Sequence, residues 1–133
     1  MSAPAALARV GPAGFELPKG FREGMRVPVR IFATEKLVRA MDDQVFVQAA
    51  NVATLPGIVG SSLCMPDAHW GYGFPIGGVA ATDAEHGVIS PGGIGFDINC
   101  GMRLVRSDLV WAEVEPEIVR LVNAFAARVP AGV

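Results

Sequence analysis

The sequence is poor in the residues from which self-contained sites are built. It has two cysteines, Cys64 and Cys100, and two histidines, His69 and His86, and neither HxxxH nor CxxC occurs. A small secreted scaffold stapled by disulfides is thereby excluded, and so is a zinc site with the usual ligand spacing. Charge is also scarce: 18% of the 133 residues are Asp, Glu, Lys or Arg, and the formal net charge is -2. With no overall basic field, a small autonomous nucleic-acid binder would have to rely on a local patch. There is neither a long uninterrupted apolar run nor a charged-then-apolar leader, which points to a soluble protein in a reducing, cytoplasmic compartment, without a membrane. What is plentiful is hydrophobic residue content, at 51%, enough for one sizeable core and against disorder.

Periodicity divides the chain. The Ala-, Gly- and Pro-rich opening, residues 1–20, reads as a loose leader, and residues 21–133 read as one domain without a repeat or linker. "GMRVPVRIFAT" alternates as a strand near residues 25–32, with Pro28 marking an edge or bulge. Thr34 is placed to cap a helix through Glu35, Leu37, Val38 and Met41, and a second amphipathic stretch through Val45, Val47, Ala49 and Val52 carries on to Thr54 before "LPG" stops it. "GIVGSSLCMPD", "GGVAAT" and "CGMRLVRSDL" read as strands. Pro116 suits the first turn of a closing helix whose Ile118, Val119, Leu121, Val122, Phe125 and Ala126 form one apolar face, with Pro130 ending it. Helices and strands mix without regular βαβ alternation, so the expected fold class is α+β.

Most of the glycine lies in residues 65–101, where it serves turns or close backbone approach; the spacing fits neither a Walker A loop nor a Rossmann fingerprint. Asp67 and His69 are two apart, so on an extended segment they project to one side, where they could face a ligand together. The alternative for Asp67 is a turn cap after Pro66, and for His69 a half-buried ring beside Trp70. Asp83, Glu85 and His86 read as a solvated polar turn. "GFDINCG" sets Asp97 and Cys100 three apart between Gly95 and Gly101. A carboxylate and a thiolate so placed make a metal-ligand pair, with Asn99 able to hydrogen-bond the loop. A small buried thiol is the bland reading of Cys100, but a buried, unpartnered Asp97 would be costly. Two donors fall short of the three or more a catalytic ion requires.

"MPDAHWGYGFPIGGVAATD", followed by "GVISPGGIGFDINCGMRLVRS", resembles the signature region of the RtcB family of RNA-splicing ligases, and "NVATLPGIVG" and "VPAGV" also fall where that family has them. The resemblance covers roughly residues 20–133. It implies a GTP- and manganese-dependent ligase that joins 2′,3′-cyclic phosphate or 3′-phosphate RNA ends to 5′-hydroxyl ends through a guanylylated histidine. By that resemblance Asp97 and Cys100 are manganese ligands, the cysteine bridging two ions, and Asp67 orients the histidine nucleophile. His69 and Trp70 receive no role. RNA, as tRNA halves or broken RNA, GTP and an archease-type activator are the implied partners. The remaining metal ligands and the nucleophile lie beyond Val133 in that family, and neither His69 nor His86 matches them. The chain is therefore expected to be an N-terminal portion that carries part of a dinuclear metal site and does not ligate alone. A stand-alone manganese-binding or regulatory module and a purely structural domain are the alternatives.

Overall fold

The computed structural model describes residues 3–96, 98, 101 and 103–129, and the chain forms two compact units, Met1–Ile98 and Asn99–Val133. The first unit is built on a five-stranded sheet in the order β1 (Ala8–Arg9), β2 (Gly14–Leu17), β3 (Val29–Phe32), β4 (Ile58–His69) and β5 (Ile76–Thr82). All neighbours pair antiparallel except β3 and β4, which run parallel. A parallel pair needs a long crossover. Two helices supply it, α1 (Glu35–Ala40) and α2 (Asp43–Val52). The expected α+β class is the one observed.

Local chemistry accounts for the helix boundaries. Thr34 accepts a hydrogen bond from the Leu37 N–H at 3.4 Å and caps α1. The α2 face carrying Val45, Phe46, Ala49 and Val52 is buried, and Val45, Phe46 and Ala49 pack with Leu17, Val29, Ile31, Cys64 and Ala68 in one core. Each large apolar side chain buried there contributes about 1.5–3 kcal/mol. In β3 the alternation is strict, with Val29 and Ile31 inward and Arg30 and Phe32 outward.

Three expectations are corrected. Residues 1–20 are not a loose leader throughout: β1 and β2 lie within them, Leu17 is fully buried, and Phe15 is in the core. The composition hid this, because β2 carries only two inward residues and gains its stability by pairing with β3. Pro28 marks no edge: β3 begins at Val29 and is paired on both sides, and the proline, lacking an N–H, stays outside the ladder while its carbonyl accepts from Ser62 N–H at 3.0 Å. The expected strand in "CGMRLVRSDL" is absent among its described residues. Leu104 and Val105 are exposed, and an apolar run without a pairing partner has nothing to make it a strand.

The second unit holds α4 (Trp111–Val114), a 3₁₀ turn at Glu115–Glu117 and α5 (Ile118–Arg128), with α3 (Pro91–Ile94) belonging to the first unit. Pro116 sits in that 3₁₀ turn just before α5, and Arg120 donates to the Glu117 carboxylate at 2.7 Å. The expected apolar face of α5 is present, but Val119, Val122 and Phe125 on it are exposed. Pro130 lies outside the described residues.

Candidate functional site

The end of β4 and the turn that follows it carry the chemistry. Cys64 pairs with Gly78 and His69 pairs with Ile76, so β4 has four residues, 65 to 68, where β5 has only Gly77. This is a large, irregular bulge, and a bulge re-aims the side chains it carries. Pro66, which has no N–H to give a ladder, fits such a break. Ala68 points into the core, and Asp67 and His69 on either side of it are exposed. They share a face, as their spacing predicts.

The two do not form a carboxylate–imidazole pair. His69 Nδ1 lies 2.9 Å from the Asp67 backbone oxygen, and since a carbonyl only accepts, the ring donates from Nδ1. Among the described residues no hydrogen bond or ion pair engages the Asp67 carboxylate. It is presented outward, available to a group from elsewhere.

The turn after β4 is held from beneath. Gln48, on α2 and 6% exposed, donates from Nε2 to the Gly71 oxygen at 2.5 Å and accepts from the Gly71 N–H at 3.0 Å. Gln48 was not legible as a site residue. One signal did exist: it is the sole polar side chain among the buried residues of α2. Further along the turn, Tyr72 meets Phe96 edge to face, ring centres 5.5 Å apart. That contact joins the segment following Asp67 to the segment leading into Asp97. Gly95, just before Phe96, has φ of 111°, a backbone conformation that favours glycine.

Phe74, Leu55 and Ser90 line two open cavities within the first unit. One, of about 400 Å³, is lined by Leu55, Gly78, Val79, Ile89 and Ile94 among others. The other, of about 250 Å³, is lined by Asn51, Tyr72, Ser90 and Gly92 among others. Neither contains the Asp67 or His69 side chain.

Asp97, Asn99 and Cys100 lie outside the described residues. Among the described residues no group of three or more His, Cys, Asp or Glu side chains could hold a metal ion. The metal-ligand expectation for Asp97 and Cys100 falls on residues outside those described. Asp83 forms the solvated turn expected of it. Its Oδ1 accepts from the N–H groups of His86 at 2.7 Å and Glu85 at 3.0 Å and lies 3.1 Å from His86 Nδ1; these bonds, the His86 amide first, hold its carboxyl below the ordinary carboxylate range. Cys64 is fully buried in the core, and burial pushes its thiol up to about 12. It is a packing residue.

An α+β chain that offers an outward carboxylate on a bulge, and whose sequence carries a glycine-rich Asp/Cys motif further on, is the class of object defined so far. The family model described as tRNA-splicing ligase RtcB matches residues 48–133. Proteins named tRNA-splicing ligase RtcB are similar across nearly the whole chain: that of Archaeoglobus fulgidus is 51% identical over 127 residues, covering 96% of this chain and 26% of its own length. That of Thermococcus kodakarensis is 54% identical over 127 residues, with 95% and 26% covered, and that of Methanopyrus kandleri 57% over 104 residues, with 76% and 10% covered. This chain belongs to the RtcB family. It spans about a quarter of the length of the first two relatives and matches their N-terminal part. An alignment of 127 residues also reaches into residues 1–20, in keeping with the strands found there. No helix among the described residues is long and apolar enough to cross a membrane.

Proposed function

We propose that this chain acts as the N-terminal part of a cytoplasmic RNA ligase that uses GTP and manganese to join 2′,3′-cyclic phosphate or 3′-phosphate RNA ends to 5′-hydroxyl ends, in tRNA splicing or RNA repair. The observation that carries the reading is identity of about half the residues to tRNA-splicing ligases over 127 positions that include the whole central motif region. RNA with such ends and GTP are the proposed partners, with an archease-type activator as a further one.

Three residues carry the roles. Asp97 and Cys100 would hold manganese, the carboxylate as a hard oxygen donor and the thiolate as a second anionic donor that the cation's charge would help keep deprotonated. Two bound manganese ions would supply positive charge against the phosphates of GTP and of the RNA end. Asp67 would accept a hydrogen bond from the ring N–H of a histidine outside this chain and so fix the tautomer in which the opposite nitrogen is free to attack. Its exposure and its freedom from partners among the described residues are what such a role requires. With only two metal donors and no histidine of the required kind, the 133-residue chain is expected to be inactive alone.

The test is manganese- and GTP-dependent end joining by the longer protein carrying this segment, compared with the 133-residue chain. Loss of joining in Asp97→Ala and Cys100→Ala of the longer protein, and no joining by the short chain, are expected. Joining by the short chain would contradict its role as a part. Stoichiometric manganese binding that Cys100→Ala abolishes, with no joining by either form, would point to a metal-binding module instead.

A further inference from the structure

The irregularity in β4 and the glycine opposite it belong together. Gly77 is the single β5 residue facing the four-residue bulge, and its φ is 74°. A Cβ at that position would come within 2.8 Å of the Asp67 Oδ1, 3.1 Å of the Ala68 Cα and 3.2 Å of the Ala68 nitrogen. Any side chain at 77 would therefore press on the carboxylate and on the backbone that carries it. The C-terminal end of the bulge is also held: Ala68 is anchored in the core, and two residues past His69 the Gly71 peptide is clamped by Gln48. An exposed carboxylate ordinarily samples several rotamers, yet this one stands on a backbone fixed from below and beside an opening kept clear by a missing Cβ.

We propose that Gly77 is a positioning residue for Asp67: it leaves vacant the space beside which the Asp67 carboxylate settles, and the bulge, tied down through Gln48 and Gly71, keeps that carboxylate in the place from which it acts. The proposal rests on the role given to Asp67 above. Gly77 itself touches neither substrate nor cofactor; its effect passes through Asp67. The physical gain is preorganisation, since a carboxylate that must orient a ring loses effect when its own position drifts.

Two measurements test this and separate its failure from failure of the Asp67 reading. In the 133-residue chain, the Asp67 carboxyl ¹³C signal is expected to shift in Gly77→Ala; an unchanged signal would overturn the proposal and leave the role of Asp67 untouched. In the longer ligase, end joining at saturating GTP is expected to fall about tenfold or more in Gly77→Ala while half-saturating GTP is unchanged, yet change less than about twofold when the same substitution is made in an Asp67→Ala background. A loss of equal size in both backgrounds would mean a merely structural glycine and would overturn the proposal. Full joining by Asp67→Ala alone would remove the role of Asp67 and the proposal with it. Because alanine at φ 74° is strained, Gln48→Leu is the second variant, leaving Gly77 as it is, and the same dependence on Asp67 is expected.

Discussion

Gln48 and Gly71, 23 residues apart, exchange two hydrogen bonds, the side-chain amide of one matching the backbone peptide of the other. This pairing fastens the turn after β4 to α2, with Gln48 buried and Gly71 half-buried. Gln48→Leu keeps the volume and removes both bonds, leaving the Gly71 N–H and C=O unmatched. The expected loss of stability is about 1–3 kcal/mol, measured by urea unfolding. A change below about 0.5 kcal/mol would mean that the turn is not held by this contact.

The first twenty residues test the corrected boundary. Leu17 is fully buried, whereas Val10, in the same stretch, is 46% exposed. Leu17→Ala should destabilise the chain by about 2–5 kcal/mol and Val10→Ala by less than about 0.5 kcal/mol. Equal small effects in chemical denaturation would restore the picture of a loose leader.

Cys64 provides a probe of core integrity. Its thiol is buried and pushed up to about 12, so in a Cys100→Ser background at pH 8 a thiol reagent should react at least about a hundredfold more slowly with the native chain than with the urea-unfolded one. Fast native labelling would show that the α2–β4 contact opens readily.

Asp83 carries a definite pH signature. The amide hydrogen bonds of the turn favour its charged form, so the folded carboxyl titrates below its unfolded counterpart. Such a group supports the turn above the unfolded value, and that support is lost as pH falls through the lowered folded value. A ¹³C titration should give a midpoint for Asp83 below that of an ordinary aspartate, and Asp83→Ala should speed hydrogen exchange at the His86 amide. A normal midpoint would dismiss the capped turn.

Manganese titration examines the motif that lies outside the described residues. If Asp97 and Cys100 supply only part of the site, the 133-residue chain should bind manganese far more weakly than the longer protein, and Cys100→Ala should weaken both. Equal affinity in the two forms would mean that the short chain holds a complete site.

Much was legible from the residues alone. Thr34 before a helical run, the 3.6-residue repeat through α2 and the apolar runs of β4 and β5 are local patterns, and local patterns determine element type because backbone sterics and one-sided burial act within a few residues. The long motif from Met65 to Ser107 likewise identified the family without reference to any contact. What only the tertiary structure decided is long-range. A four-residue β2 exists because β3 is there to pair with it, and a two-residue β1 because β2 is; Leu104 and Val105 are not in a strand because no described strand pairs with theirs. The outward set of Asp67 arises from a register break between β4 and β5, and the partnership of Gln48 with Gly71 spans the crossover and a whole strand. No sequence window contains both members of such a pair, so their positions follow from packing and hydrogen-bond satisfaction across the fold rather than from the propensity of either residue.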